Sequence, residues 1–232
     1  MHALATELFP ICRSITGDGV RQTLDIIERH IPLTVHEVPT GTQVFDWTVP
    51  KEWNLRGAFI KDPRGRTIVN VRDSNLHVVN YSAPVHRRMT LAELRNHLHS
   101  LPDQPDLIPY RTSYYRESWG FCVADCVATQ LEEGEYEVCI DSTLEPGHLV
   151  YAECFLPGEL EDEVLISSHI CHPSLANDNL SGVCVSVALA QSLAGIRRRH
   201  SFRSCMHQAP SERLLGWPGT GMLQHACCTD SC

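Results

Sequence analysis

A chain of 232 residues, 43% hydrophobic and 20% charged, has the composition of an ordinary globular protein and can bury one large core or two small ones. Its formal charge of −9 argues against a nucleic-acid or anionic-membrane partner. No run of about 18 apolar residues is present to span a membrane.

The first residues, Met1-His2-Ala3-Leu4-Ala5-Thr6-Glu7, lack a basic region followed by a long apolar stretch, so no secretory signal and a cytoplasmic location are expected. Eleven cysteines form an odd total without regular spacing, which argues against a disulfide framework. Cys122 and Cys126 have no second pair at zinc-ribbon spacing and read as core or loop thiols.

In chain order, Gly17-Asp18-Gly19 opens an amphipathic segment with Val20, Leu24, Ile27 and Ile31 at helical spacing, predicting a helix over 18–31 that Pro32 ends. Residues 33–38 alternate as a strand, and Pro39-Thr40-Gly41 turns out of it. From Val44 to Leu144 short apolar runs are broken by Pro50, Gly57, Pro63-Arg64-Gly65 and Asp73-Ser74-Asn75, the texture of a strand meander. A helix over 90–100 interrupts it, with a capping box in Thr90 and Glu93. After Pro146-Gly147 the pattern becomes α/β: strands over 148–156 and 163–168, then a helix over 179–193 with a left-handed glycine cap at Gly195. Arg197-Arg198-Arg199-His200 reads as a solvated loop.

The stretch from Ser167 to Gly182 holds the candidate chemistry. His169 stands at the carboxyl end of a strand and Asp178 at the mouth of the following helix, and an open α/β sheet gathers its ligands in that crevice. Neutral imidazole is a good zinc ligand, and a carboxylate can bridge two metals about 3.5–4 Å apart. Asn177 and Asn179 flank Asp178 as hydrogen-bond donors. Taken singly, His169 reads equally as a hydrogen-bonded strand-end histidine and Asp178 as a helix N-cap; their joint placement favours metal. His172 is the rival ligand, ranked second because Pro173 suggests a loop-shaping role. Cys171 and His172 are adjacent, so they point apart on an extended chain and make a poor nucleophile–base pair.

With Arg13 to Gly19, Val38 to Gly41, Phe45-Asp46-Trp47, Asp73 to Tyr81 and His169 to Gly182, the chain resembles the bacterial aminopeptidase-like proteins, a family of unknown function related to the co-catalytic zinc exopeptidases of the leucyl aminopeptidase and glutamate carboxypeptidase type. The resemblance covers about residues 4–203. It implies a partial doubly wound α/β peptidase domain, segments 1–44 and 145–203, with a mostly-β domain inserted over 45–144. It also implies two zinc ions per complete site, with His169 a ligand of one and Asp178 the bridging ligand. Two residues after the ligand histidine the broader family usually has Asp; this chain has Cys171. Family members add later a Glu general base, another Asp and a final His, none of which can be matched here, so no catalytic residue is assigned.

Residues 204–232 carry Cys205, Cys227, Cys228 and Cys232 without sustained periodicity, where an α/β unit should supply a strand. A shifted reading frame, with degenerate bases chosen to suit, gives Tyr-Ala-Pro-Gly-Thr-Ile-Gly-Ala-Ile-Thr-Trp-Leu-Ala-Arg, a strand end, turn and amphipathic helix. The expectation is a frameshifted tail on a truncated, inactive form; the alternative is a short natural C-terminus of low order. For the family the expected activity is hydrolysis of a peptide or aminoacyl amide by a zinc-activated water. Against it stand a non-catalytic peptide- or carbohydrate-pathway binding protein and a cysteine hydrolase using Cys171.

Overall fold

Burial alternates along the longer strands, and two four-stranded sheets result. The computed structural model describes residues 1–114 and 116–208. The chain begins with α1 (His2–Leu8) and α2 (Asp18–Glu28), then β1 (Thr34–Pro39) and a small hairpin of β2 (Gln43–Val44) and β3 (Trp47–Thr48). Next come β4 (Glu52–Lys61), β5 (Thr67–Asn70), β6 (Val85–Thr90), α3 (Leu91–Arg95), β7 (Leu98–His99), β8 (Phe121–Cys122), α4 (Asp125–Ala128) and β9 (Glu135–Glu145). The last elements are β10 (His148–Leu156), β11 (Glu163–His169), α5 (Ser181–Ala194) and β12 (Ser201–His207). Among the described residues no helix is long and apolar enough to cross a membrane.

The main sheet has the order β1-β10-β12-β11. Only β11 and β12 run parallel, and α5 connects them as a βαβ unit. Along β10, Val150, Ala152, Cys154 and Leu156 point to one face and Leu149 and Tyr151 to the other, as the two-residue period requires. The first face packs on Leu4 and Leu8 of α1, Val20, Leu24 and Ile27 of α2, and Val183, Val187 and Ala190 of α5. Each such side chain contributes about 1.5–3 kcal/mol when fully buried. The opposite face is covered by Val44 and Val49 around the β2–β3 hairpin. The doubly wound arrangement expected from the resemblance, with helices on both faces, is therefore absent among the described residues. β1 pairs antiparallel with β10 and so needs no crossover helix, and the β2–β3 hairpin packs on that face.

The second sheet, β5-β4-β9-β6, is antiparallel throughout and has its own core, including Ile60, Leu94, Phe121 and Tyr136. It lies in the chain between β1 and β10, which pair directly with each other. The capping box at Thr90 and Glu93 forms, but α3 stops at Arg95. Leu98 and His99 instead pair with Phe121 and Cys122.

One helix was not anticipated, and two further expectations need correction. Helix α1 gave no periodic signal, yet Leu4 and Leu8 bury on the main core. Gly195 has φ −88°, so it is no left-handed cap; Arg198 closes the end of α5 by donating to the carbonyls of Leu193 and Ile196. Most important, Ser204 to His207 are not tail. They belong to β12, which pairs with β10 on one side and β11 on the other, and Cys205 and Met206 are fully buried on opposite faces. The rest of the expected tail, 209–232, lies outside the described residues.

Arg203 fixes β12 in register. Its guanidinium donates to both Glu163 oxygens at 2.7 and 2.8 Å, reaches Glu153, and lies 4.6 Å from the Phe155 ring centre. These hydrogen bonds hold the Glu163 carboxyl below its ordinary range. A carboxylate with a depressed folded pKa stabilises above its unfolded pKa, and that stability is lost as pH falls through the folded value. Removing the guanidinium by Arg203→Met should therefore flatten the loss of stability on acidification below the unfolded Glu value of about 4.3, read from urea midpoints across that range.

The segment entering α2 runs against β4 where Gly17 passes Trp53. Gly17 has φ +99°, and a Cβ there would lie 2.0 Å from the Trp53 carbonyl oxygen. Gly41 has φ +87° with open space around it. Gly17→Ala should cost more than about 2 kcal/mol and Gly41→Ala about 1 kcal/mol in urea unfolding, because only the first adds a clash to the backbone strain.

Candidate functional site

The candidate site follows the carboxyl end of β11. Beyond His169 the backbone stays with the sheet for one more residue, Ile170 N–H donating to the His207 carbonyl at 2.8 Å. Ile170 and Cys171 are fully buried. Cys171 packs among Ile15, Trp53 and Tyr81, in a setting closed to substrate, which removes the ground for a cysteine hydrolase.

The chain then turns through Ser174, whose φ of 47° is left-handed. Two hydrogen bonds hold it: Ser174 Oγ donates to the Phe9 carbonyl (3.0 Å) and accepts from Asn75 Nδ2 (2.8 Å). A one-turn π-helix, Ala176–Leu180, with extended backbone at Asp178, leads into α5. The Asp178–Asn179 peptide is cis.

Of the residues singled out from sequence, Asp178 is brought to His172. Asp178 Oδ1 lies 3.3 Å from His172 Nδ1, at ion-pair distance but without hydrogen-bond alignment, since that nitrogen is buried and lacks a hydrogen-bond partner. Burial pulls the His172 pKa below the ordinary imidazole value, with the Asp178 carboxylate opposing. The His172 ring also sits edge-on to Tyr110, centroids 5.4 Å apart. His169 stands 6.3 Å ring to ring from His172, and its Nδ1 is likewise buried and without a hydrogen-bond partner. So is Asn179 Nδ2.

The bland alternatives fare poorly. Asp178 does not cap α5, whose N-terminus has no side-chain cap bond, and its side chain is 71% exposed. His169 Nδ1 is not tied to a backbone carbonyl. The donor types, imidazole nitrogen and carboxylate oxygen, suit zinc. Their number falls short: among the described residues no group of three or more His, Cys, Asp or Glu side chains is gathered for a metal ion.

Two neighbours of the site were not given a role from sequence. His207 pairs in register with His169 across the parallel strands, ring centroids 5.0 Å apart, and its Nε2 is 2.7 Å from Ser167 Oγ. It was hidden because residues from 204 onward read as aperiodic text. Arg13, almost fully buried, donates from Nε to the His172 carbonyl (3.1 Å) and from Nη1 to the Leu8 carbonyl (2.6 Å). An arginine with no acidic residue near it in sequence gave no signal of that task.

The fold is thus mixed α/β, with histidines and a carboxylate gathered outside the carboxyl end of a strand. The chain belongs to the family described as Domain of unknown function (DUF4910), whose model matches residues 2–210. It is 51% identical over 203 residues, 88% of this chain and 47% of the relative, to a Clostridium acetobutylicum protein named "Putative polysaccharide biosynthesis protein with aminopeptidase-like domain". A crystal structure of a "putative peptidase" from the same organism superposes with a TM-score of 0.88 at 50% identity, covering 89% of this chain and 49% of that one. BSAP, a zinc aminopeptidase from Bacillus subtilis, shares the fold with a TM-score of 0.55 at 10% identity, over 89% of this chain and 60% of that one. The chain spans about half the length of its Clostridium relatives.

Arg13→Met removes the donor to two carbonyls and should lower the unfolding free energy by about 1–3 kcal/mol. Arg13→Lys should recover less than half of this, because an ammonium lacks the planar fork that spans both acceptors. Urea unfolding of the three proteins measures both values.

Proposed function

We propose that this chain supplies metal donors to an aminopeptidase-like zinc hydrolase site, with His169 and Asp178 as ligands and His172 beside them. The observation that carries the reading is the buried His169 Nδ1, which has no hydrogen-bond partner, close to His172, whose Nδ1 faces the exposed Asp178 carboxylate at 3.3 Å. Membership of the family and the fold shared with a zinc aminopeptidase support it.

Zinc, when bound, supplies a polarised carbonyl and a water of lowered pKa. The chain's own residues provide the setting. Asp178 offers negative charge at the mouth, burial favours the neutral, ligating form of the His172 imidazole, and Arg13 fixes the His172 backbone. Hydrolysis of a peptide or aminoacyl amide, in the cytoplasm, is proposed for a protein of the relatives' full length. No general base is matched within the present residues, so the chain by itself is expected to bind metal and not to turn over.

A second reading, a non-catalytic binding protein on this fold, draws on Cys171. It occupies the position where the resemblance expects an aspartate, and it is fully buried. A full-length relative that hydrolyses no aminoacyl amide with zinc or cobalt would favour it.

Calorimetric titration with zinc tests the primary reading. Wild type should bind, and His169→Ala and Asp178→Asn should each weaken binding at least about tenfold, equivalent to ~1.4 kcal/mol. No binding by wild type, or equal binding by His169→Ala, would sink it.

A further inference from the structure

Beside the β7–β8 pair lies a cleft that the metal reading does not use. It encloses about 510 Å³, within the range of small-molecule sites, and its walls come from the start of β7 and from the segment preceding β8. The floor is pre-formed. His97 stacks on Trp119 with centroids 3.6 Å apart and planes 12° apart. Phe121 N–H donates to the His97 carbonyl at 2.8 Å, and Val79 N–H to the Gly120 carbonyl at 3.0 Å.

Charge distinguishes this cleft. The chain has 28 acidic against 19 basic residues, and arginines such as Arg21, Arg56, Arg64 and Arg203 pair with carboxylates. Arg111 and Arg116, both lining the cleft, form no ion pair among the described residues. The one carboxylate in the lining, Glu117, forms none with either. His99, also in the wall, has its pKa lowered by burial and by the positive charge of Arg111 and His97, so the surroundings are electropositive as well as partly dry. Beside the arginines the wall offers the Thr112 and Ser118 hydroxyls and the Asn96 amide.

An unpaired guanidinium presents a fork that fits carboxylate or phosphate. Hydroxyl and amide groups next to it suit a ligand bearing hydroxyls of its own. We propose that this cleft binds a small polyhydroxylated anion, its charged group on Arg111 and Arg116 and its hydroxyls on Asn96, Thr112 and Ser118. The anionic group comes from a sugar phosphate or a sugar carboxylate. The site is independent of the metal donors.

The test is calorimetric titration of the 232-residue chain with glucose 6-phosphate, glucuronate, glucose and inorganic phosphate. At least one of the two sugar anions should bind with Kd of about 1 mM or tighter, and the one that binds identifies the head group. Glucose and inorganic phosphate should each bind at least about tenfold more weakly. Arg111→Met and Arg116→Met should each weaken sugar-anion binding by a similar factor. Arg64→Met, which removes the same charge from the β4–β5 turn outside the cleft, should not. Thermal melts of all variants confirm folding. Absence of binding by both sugar anions overturns the proposal. So does inorganic phosphate binding as tightly as the sugar anion, or equal weakening by Arg64→Met.

Discussion

The Arg13 guanidinium is the point on which the arrangement of the chain depends. It is buried, its pKa pulled down to about 10 chiefly by that burial, and it donates to the backbone carbonyls of Leu8 and His172. A buried cation is costly unless its donors are satisfied, so the carbonyls that satisfy it cannot move independently. One ends α1, and the other belongs to His172. The carbonyl of Arg13 itself accepts from Asn80 Nδ2, while Asn80 Oδ1 accepts from Ser14 Oγ. A single short segment therefore ties the first helix, the turn after β11 and the loop between β5 and β6 that carries Asn80.

That linkage explains how the site loop keeps its shape without regular structure. Ser174 adopts its left-handed turn under hydrogen bonds from outside the loop, to Phe9 and from Asn75. Asn75 also holds the Pro10 carbonyl. Cys171 fills a space between Ile15, Trp53 and Tyr81, within electrostatic reach of the buried Arg13 guanidinium. A thiol suits the apolar part of that space because it behaves as a small hydrophobe.

Much of the fold was legible because the strands bury alternating residues. β1, β10 and β11 fall at the expected 33–38, 148–156 and 163–168, and the Thr90–Glu93 box marks the start of α3. Where the sequence reading failed, tertiary packing outweighed local pattern. The seven residues of α1 are too few for a periodic signal, and their helix is held by burial of Leu4 and Leu8. β12 reads poorly because both of its faces are covered, so Cys205 and Met206 sit side by side and no alternation appears. Arg203, Ser204 and His207 are polar, and each is accommodated by the sheet: a guanidinium between two glutamates, a small buried hydroxyl, an imidazole against Ser167. At the site, the motif located the right turn but not the contact within it. Asp178 meets His172 and not His169, because a turn through Pro173 and Ser174 folds the loop back, and spacing along the chain cannot show that.

The position of the candidate site follows from the topology. Of the neighbouring strands in the main sheet, β11 and β12 alone run in the same direction, so only there do two adjacent carboxyl ends open to one crevice. His169 and His207 are register partners at that opening. The face toward the helices is already filled by Leu180, Val183 and Met206, leaving the crevice to the imidazoles and to the π-turn that carries Asp178. Burial there disfavours a proton on His172, while the Asp178 carboxylate draws positive charge toward it. A proton can answer only the second demand. A dication answers both, since it ligates neutral imidazole and neutralises the carboxylate without placing charge on the buried ring.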